Sequence, residues 1–297
     1  MSRSMIEELK KRDISFVEQE ALAKHASFRI GGAATLAVFP KSEQELIDAL
    51  NLTSEQEPIV VGRGSNLVFP DGEFRRPVIF TEGLRQIAVE GETISAEAGV
   101  PLTSLCKVAC DASLSGLAFA YGIPGSVGGG IYMNAGAYGG ELGALCKSVR
   151  YYDRIETAVK TIAAEDCAFA YRHSLFADRK DFVILSATFI LSRGDRETIA
   201  NEMRDYLVRR KEKQPLEYPS AGSVFRRPVG AFAGKLIEDC GLKGVSVGGA
   251  AVSEKHAGFI INRGGATADD VKKLVEKIQK TVLEKTGVSL ECEIEFL

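Results

Sequence analysis

The segment Gly122-Ile-Pro-Gly-Ser-Val-Gly-Gly-Gly-Ile-Tyr-Met-Asn-Ala-Gly-Ala-Tyr-Gly-Gly-Glu141 is the part of this chain best suited to holding an anionic ligand. Eight of its twenty residues are glycine, yet Ile123, Val127, Ile131, Tyr132, Met133 and Tyr138 give it something to fold around. Glycine lets the main chain turn through positive φ and approach a ligand closely. Consecutive N–H groups in such a turn form a concave nest for anionic oxygens. Two readings stand: a cradle for a pyrophosphate-bearing cofactor, or a glycine-rich corner between buried strands.

A second glycine turn favours the cradle. Pro58-Ile-Val-Val-Gly62 reads as a buried strand and runs into Arg63-Gly64-Ser65-Asn66-Leu67. The start resembles a dinucleotide-binding fingerprint, but the third glycine is missing and no acidic residue is placed for a ribose. That reading is rejected. What remains is strand, nest, strand, with N–H donors and the Ser65 and Asn66 side chains available to phosphate.

Other chemistry-bearing residues each have a plain alternative. Gly230-Ala-Phe-Ala-Gly-Lys235-Leu236 has three residues between its glycines instead of four, and Leu236 has no hydroxyl for magnesium, so it is not a phosphate loop. Lys235 is either a point charge for a phosphate or a solvated lysine. Ser223 follows Gly222 but lacks the Gly-x-Ser-x-Gly spacing of a hydrolase nucleophile. The only histidines, His25, His173 and His256, have no triad motif, so from spacing alone Ser223 is structural. Arg172 in Tyr171-Arg172-His173-Ser174 reads as a surface arginine. Glu291, Glu293 and Glu295 alternate with Cys292, Ile294 and Phe296, so three carboxylates share one face, most simply a solvated one. Asn262 ends an apolar strand and either bonds a ligand or finishes the strand. The six cysteines are scattered, and Cys106 and Cys110 have no second pair to complete a zinc site, so buried thiols and no metal are expected.

The elements that must position these groups alternate between helix and strand. Residues 1–24 read as a charged helix, and 25–39 as two short strands around Gly31 and Gly32. Ser42 and Glu45 make a capping box for a helix through Leu46, Ile47 and Leu50. Strands follow at 58–68, 78–81 and 93–98, and Pro101 opens a helix. Beyond the glycine loop come strands at 149–154 and 182–191, then a hydrophilic helix over 195–213. An amphipathic helix has Val271, Leu274, Val275, Ile278, Val282 and Leu283 on one face. The alternating segment 288–297 reads as a closing strand. With 297 residues, 45% hydrophobic and 26% charged, the chain is an ordinary globular protein of two or three compact parts. Its net charge of −3 gives no reason to expect a nucleic-acid partner. No signal peptide is visible, and no apolar run approaches the roughly 20 residues that span a bilayer, so a cytoplasmic protein is expected.

Together and in this order, these pieces resemble the bacterial UDP-N-acetylenolpyruvoylglucosamine reductases. The motifs that carry the resemblance are Val61-Gly-Arg-Gly-Ser-Asn66, Gly122-Ile-Pro-Gly-Ser-Val-Gly-Gly129, Met133-Asn-Ala-Gly-Ala-Tyr138, Tyr171-Arg-x-Ser174, Ala221-Gly-Ser-Val-Phe225 and Gly248-Gly-Ala-x-Val-Ser253. The resemblance covers residues 25 to 293 and implies an α+β fold. A two-part FAD-binding domain of the vanillyl-alcohol-oxidase (PCMH) type would occupy 1–84 and 85–205. A C-terminal α+β substrate-binding domain would occupy 206–297, its final strand returning towards the active site. FAD, bound without a covalent link, would rest on Gly62, Arg63, Gly64, Ser65, Asn66, Leu67, Gly122, Pro124, Gly125, Ser126, Gly128, Gly129, Asn134, Ala135 and Gly136. Ser223 would donate a proton, with Arg172 and Glu293 on the enolpyruvyl carboxylate. Tyr171, Arg227, Lys235 and Asn262 would contact the substrate. The implied activity is NADPH-dependent reduction of UDP-N-acetylglucosamine enolpyruvate in peptidoglycan precursor synthesis, by a monomer.

The chain looks like the shorter, second type of this family. Only Ser192–Glu197 separates the strand at Phe182 from the next helix, where the first type carries a tyrosine-bearing loop. Arg226-Arg227 stands where many members have Lys-Asn, so Arg227 would replace an amide contact with a charge. Two alternatives are another flavin oxidase or dehydrogenase of the superfamily, and a non-catalytic flavin- or nucleotide-sugar-binding protein.

Overall fold

Capping and apolar spacing set most element boundaries in the computed structural model, which describes Arg3–Leu297. The chain folds as two units. The first comprises the described residues through Glu18, with Leu36–Arg63 and Arg76–Arg209. The second comprises Gln19–Thr35, Gly64–Arg75 and Arg210–Leu297.

In the first unit, Ser42 caps the helix Glu43–Leu52, its Oγ accepting from Glu45 N–H at 3.2 Å. The Glu45 carboxylate accepts from Lys41 N–H rather than from Ser42, so the expected capping box closes one residue early. This helix buries Leu46, Ala49 and Leu50 against Leu36, Val38, Ile79, Tyr152 and Leu185. Ile59–Val61 pairs in parallel with Val78–Phe80 and ends at Gly62. A five-stranded antiparallel sheet has the order Ala158–Ala163, Cys146–Asp153, Phe182–Ile190, Thr93–Glu97, Ile87–Glu90. Its apolar side chains form a second core with Leu102, Leu105, Val127, Ile131, Phe176 and Phe189. Each such large side chain contributes about 1.5–3 kcal/mol on burial.

In the second unit, Thr267 and Asp270 make a reciprocal capping box for the helix Ala268–Thr286, and Gly287 ends it at φ +73. Five apolar residues of the expected face, from Val271 to Val282, are buried, whereas Leu283 is 51% exposed, one step around the helix from the buried line. The helix packs on an antiparallel sheet of Ser246–Val247, Ala250–Val252 and Ile260–Asn262. Leu67–Val68 pairs in parallel with Glu295–Phe296.

Three expectations are corrected. The N-terminal helix is Arg3–Lys11 only; Asp13 at φ +57 stops it, and Phe16–Ala21 is a strand. Of the two strands expected over 25–39 only Ala33–Val38 forms, after a 3₁₀ turn at Leu22–His25. The closing strand over 288–297 shrinks to Glu295–Phe296 and an isolated bridge at Cys292. The chain is also not divided into contiguous blocks at 84 and 205. Phe28, Ile30 and Val68 bury into the apolar cluster of the C-terminal segment, which draws 19–35 and 64–75 into the second unit.

Candidate active site

The first unit carries the glycine loop and Arg172. Ser126 sits at the N-terminus of the short helix Val127–Tyr132, 1% exposed, and its Oγ has no hydrogen-bond partner among the described residues. A buried hydroxyl left unpaired costs about 1–3 kcal/mol. Beside it the chain keeps side chains away: a Cβ at Gly62 would overlap the Ser126 Oγ, and one at exposed Gly129 would lie 3.7 Å from it. A donor hydroxyl in a cradle bare of side chains fits a pyrophosphate oxygen, so these residues suit FAD. Gly128 serves a different purpose. Its N–H donates to Ala98 O at 2.8 Å, and a Cβ there would press on the Ala98 Cβ at 2.9 Å. It lets the helix pack closely on the strand end.

Asn134, Ala135 and Gly136, expected as cofactor contacts, are engaged within the protein. The Asn134 amide donates to Ala170 O and Glu141 Oε2 and accepts from Gly143 N–H. Ala135 N–H donates to Gly130 O. Gly136 O accepts from Arg172 Nη2 at 2.9 Å. Arg172 itself lies in a two-residue hairpin turn closed by paired backbone bonds between Ala170 and His173. The turn holds it at φ +52, a conformation that costs a non-glycine residue about 1–2 kcal/mol. Its guanidinium lies 5.1 Å from the ring of Tyr171, which is 46% exposed. The next residue but one, Ser174, is fully buried and donates to Tyr132 O at 2.7 Å.

The second unit carries Ser223 and Glu293. Gly222 turns at φ +83, and the segment it opens is paired on both sides. Ser223 bridges Phe259, Val224 N–H donates to Gly258 O, and Phe225 bridges Cys292. Glu293 N–H donates to Val224 O at 2.7 Å, and Asn66 Nδ2 donates to Glu293 O at 3.0 Å. Ser223 and Glu293 therefore stand on adjacent extended segments, joined by the Glu293–Val224 bond and the Phe225–Cys292 bridge. Ser223 Oγ donates to Phe225 O at 3.4 Å, a long hydrogen bond. Glu293 is half-buried where Glu291 is exposed, which separates it from a plain solvated face.

Two further side chains on that unit have defined surroundings. His256 packs against Gly234 and Gly258 and stacks edge-on to Phe259. Its Nδ1 accepts from Gly258 N–H, which puts the ring proton on Nε2, and burial lowers its pKa, so it is a neutral donor near pH 7. Phe232 lies under Arg227 at 4.5 Å. Two expected substrate contacts take the plain reading. The Asn262 amide is used internally by Phe28 O, Gly264 N–H and Ala266 N–H. Lys235 is exposed and paired with Asp239 one helical turn on. Burial pushes Cys106 and Cys146 up to about 12 and Cys167 and Cys292 up to about 11, so these thiols stay protonated. Among the described residues no three His, Cys, Asp or Glu side chains group to hold a metal, and no helix is long and apolar enough to cross a membrane.

Two protein-family models match successive parts of the chain. Residues 34–161 match an FAD-binding domain family, and residues 214–297 match the C-terminal domain of UDP-N-acetylenolpyruvoylglucosamine reductase. A reductase of that name from Caldicellulosiruptor bescii is 46% identical over 293 residues, 97% of this chain and 93% of the relative. One from Clostridium botulinum is 46% identical over 94% of this chain and 91% of the relative. The crystal structure of the Thermus caldophilus reductase superposes with a TM-score of 0.80 at 31% identity, covering 95% of this chain and 98% of that one.

Proposed function

The chain belongs to the UDP-N-acetylenolpyruvoylglucosamine reductase family, and from that premise we propose how its own residues carry out the family's reaction. The reaction is NADPH-dependent reduction of UDP-N-acetylglucosamine enolpyruvate to UDP-N-acetylmuramate, an oxidoreductase step of peptidoglycan precursor synthesis. The fold is α+β with an FAD-binding domain of the vanillyl-alcohol-oxidase type. FAD, when bound, supplies the two-electron chemistry, taking reducing equivalents from NADPH and passing them to the enolpyruvyl double bond.

The protein supplies the rest. Ser126 Oγ, seated against Gly62 and left clear beside Gly129, would hold the FAD pyrophosphate without a covalent bond. Reduction of the vinyl ether adds one hydrogen as hydride to the terminal carbon and one as a proton to the carbon beside the carboxylate. Negative charge builds on that second carbon and spreads into the carboxylate. The Arg172 guanidinium, fixed by its hairpin turn and Gly136 O, counters that charge without having to reorganise. Ser223 Oγ delivers the proton; the enolate-like centre is basic enough to take it from a hydroxyl. Glu293 orients the same carboxylate, a role that requires it to be protonated or paired, since two ionised carboxylates repel. The observation that carries this assignment is the Glu293 N–H to Val224 O bond, which sets Glu293 beside the serine's segment.

The short connection Ser192–Glu197 supports a second-type member of the family. Its water-soluble nucleotide substrates suit a cytoplasmic enzyme. The test is direct. The purified protein should be yellow, release all its flavin on denaturation, and oxidise NADPH only when the enolpyruvyl sugar is present. Oxidation of NADPH with oxygen alone would favour a different flavin oxidase, and a colourless protein that only binds the sugar would remove the enzymatic reading.

A further inference from the structure

We propose that Phe232 is a positioning residue that holds the Arg227 guanidinium as a fork for the substrate's diphosphate. The proposal rests on the reading that this chain binds a UDP-sugar. Between Arg227 and Phe232 the chain reverses: Ala231 N–H donates back to Pro228 O at 3.3 Å, and Gly230 turns at φ +72. The reversal brings the Phe232 ring to 4.5 Å from the guanidinium carbon. Phe232 is not a core residue, being 61% exposed, so burial does not explain a phenyl ring here. Its main chain is fixed, since it precedes the helix Ala233–Asp239 and its carbonyl accepts from Leu236 N–H.

An aromatic face under a guanidinium attracts the charge and takes up only the flat face. The N–H donors radiate in the plane, where they match the paired oxygens of a phosphate. An ammonium offers no such fork. Arg227 carries such a fork, and the Phe232 ring takes up its flat face.

The test is calorimetric titration of oxidised holoenzyme with UDP-N-acetylglucosamine enolpyruvate, alongside steady-state kinetics. Exposed cation–π contacts imply that Phe232→Leu weakens binding roughly twofold to fivefold. The loss should fall on Kd and KM rather than on kcat, and Phe232→Tyr should restore it, because any aromatic face serves. In an Arg227→Ala background, Phe232→Leu should add nothing. If Arg227→Ala weakens binding but Phe232→Leu does not, or if Tyr is as weak as Leu, the positioning role is overturned while the assigned reaction stands. If the wild-type holoenzyme does not bind the sugar at all, the assigned reaction falls and the proposal with it.

Discussion

Replacing Ser126 by alanine should have opposite effects on the flavin-free and flavin-bound protein. Among the described residues the Ser126 Oγ has no hydrogen-bond partner, and the residue is 1% exposed. An unsatisfied buried hydroxyl costs about 1–3 kcal/mol, so deleting it should stabilise the stripped protein by up to that amount. For a chain of this size each kcal/mol is worth about 2–4 °C in melting temperature. In the proposed holoenzyme the same hydroxyl would donate to a charged phosphate oxygen, a bond worth about 1.5–3 kcal/mol. Losing it should weaken FAD binding roughly 10- to 100-fold at 1.4 kcal/mol per decade. Scanning calorimetry on stripped protein reads the first effect, and flavin-fluorescence quenching during FAD titration reads the second. A stripped variant that melts at or below wild type, together with unchanged FAD affinity, would refute Ser126 as the pyrophosphate donor.

Gly128→Val should lower the melting temperature of stripped protein, since its Cβ would lie 2.9 Å from the Ala98 Cβ and 3.2 Å from the Ala98 carbonyl, and overpacking of this kind costs about 1–3 kcal/mol. Gly129→Ala should melt like wild type and lose only FAD affinity; calorimetry showing the reverse order would show that the two glycines have been assigned the wrong roles. His256 has a folded pKa held below its ordinary 6.5 by burial, so the unfolded chain takes up the proton more readily. Its contribution is complete above pH 6.5 and is lost as pH falls through that value towards the folded pKa. Urea unfolding at pH 7.5 and 5.5 should therefore show a smaller loss of stability in His256→Gln than in wild type; equal losses would exclude His256 as the titrating group.

The two glycine turns and the three residues proposed as catalytic came from the sequence in different ways. The turns could be read physically, because glycine density among apolar residues has few explanations. Ser223, Arg172 and Glu293 could be found only through resemblance; their spacing gives no hint that pairing of residues 223–225 with 292–293 brings a serine and a glutamate onto adjacent segments. Asn134 and Asn262 show the limit of composition. A buried amide in a glycine loop looks the same in sequence whether it meets a ligand or satisfies Gly143 and Ala170. The interleaved units were hidden because Phe28, Ile30 and Val68 carry no label of which core they join. Strand Phe16–Ala21 was missed because Glu18, Gln19 and Glu20 read as helix formers, while the stop at Asp13 is a matter of backbone angle.

The assignment of Ser223 as proton donor is open to a single stopped-flow experiment on Ser223→Ala holoenzyme. Bleaching of the flavin by NADPH needs no proton from the serine, so it should proceed at near the wild-type rate. Recovery of flavin absorbance on mixing the reduced enzyme with the enolpyruvyl sugar should slow by roughly 100-fold or more, since a positioned general acid typically contributes 10²–10⁴-fold. If both phases slow equally, or if recovery is as fast as in wild type, Ser223 is not the proton donor and the proposed division of labour is wrong.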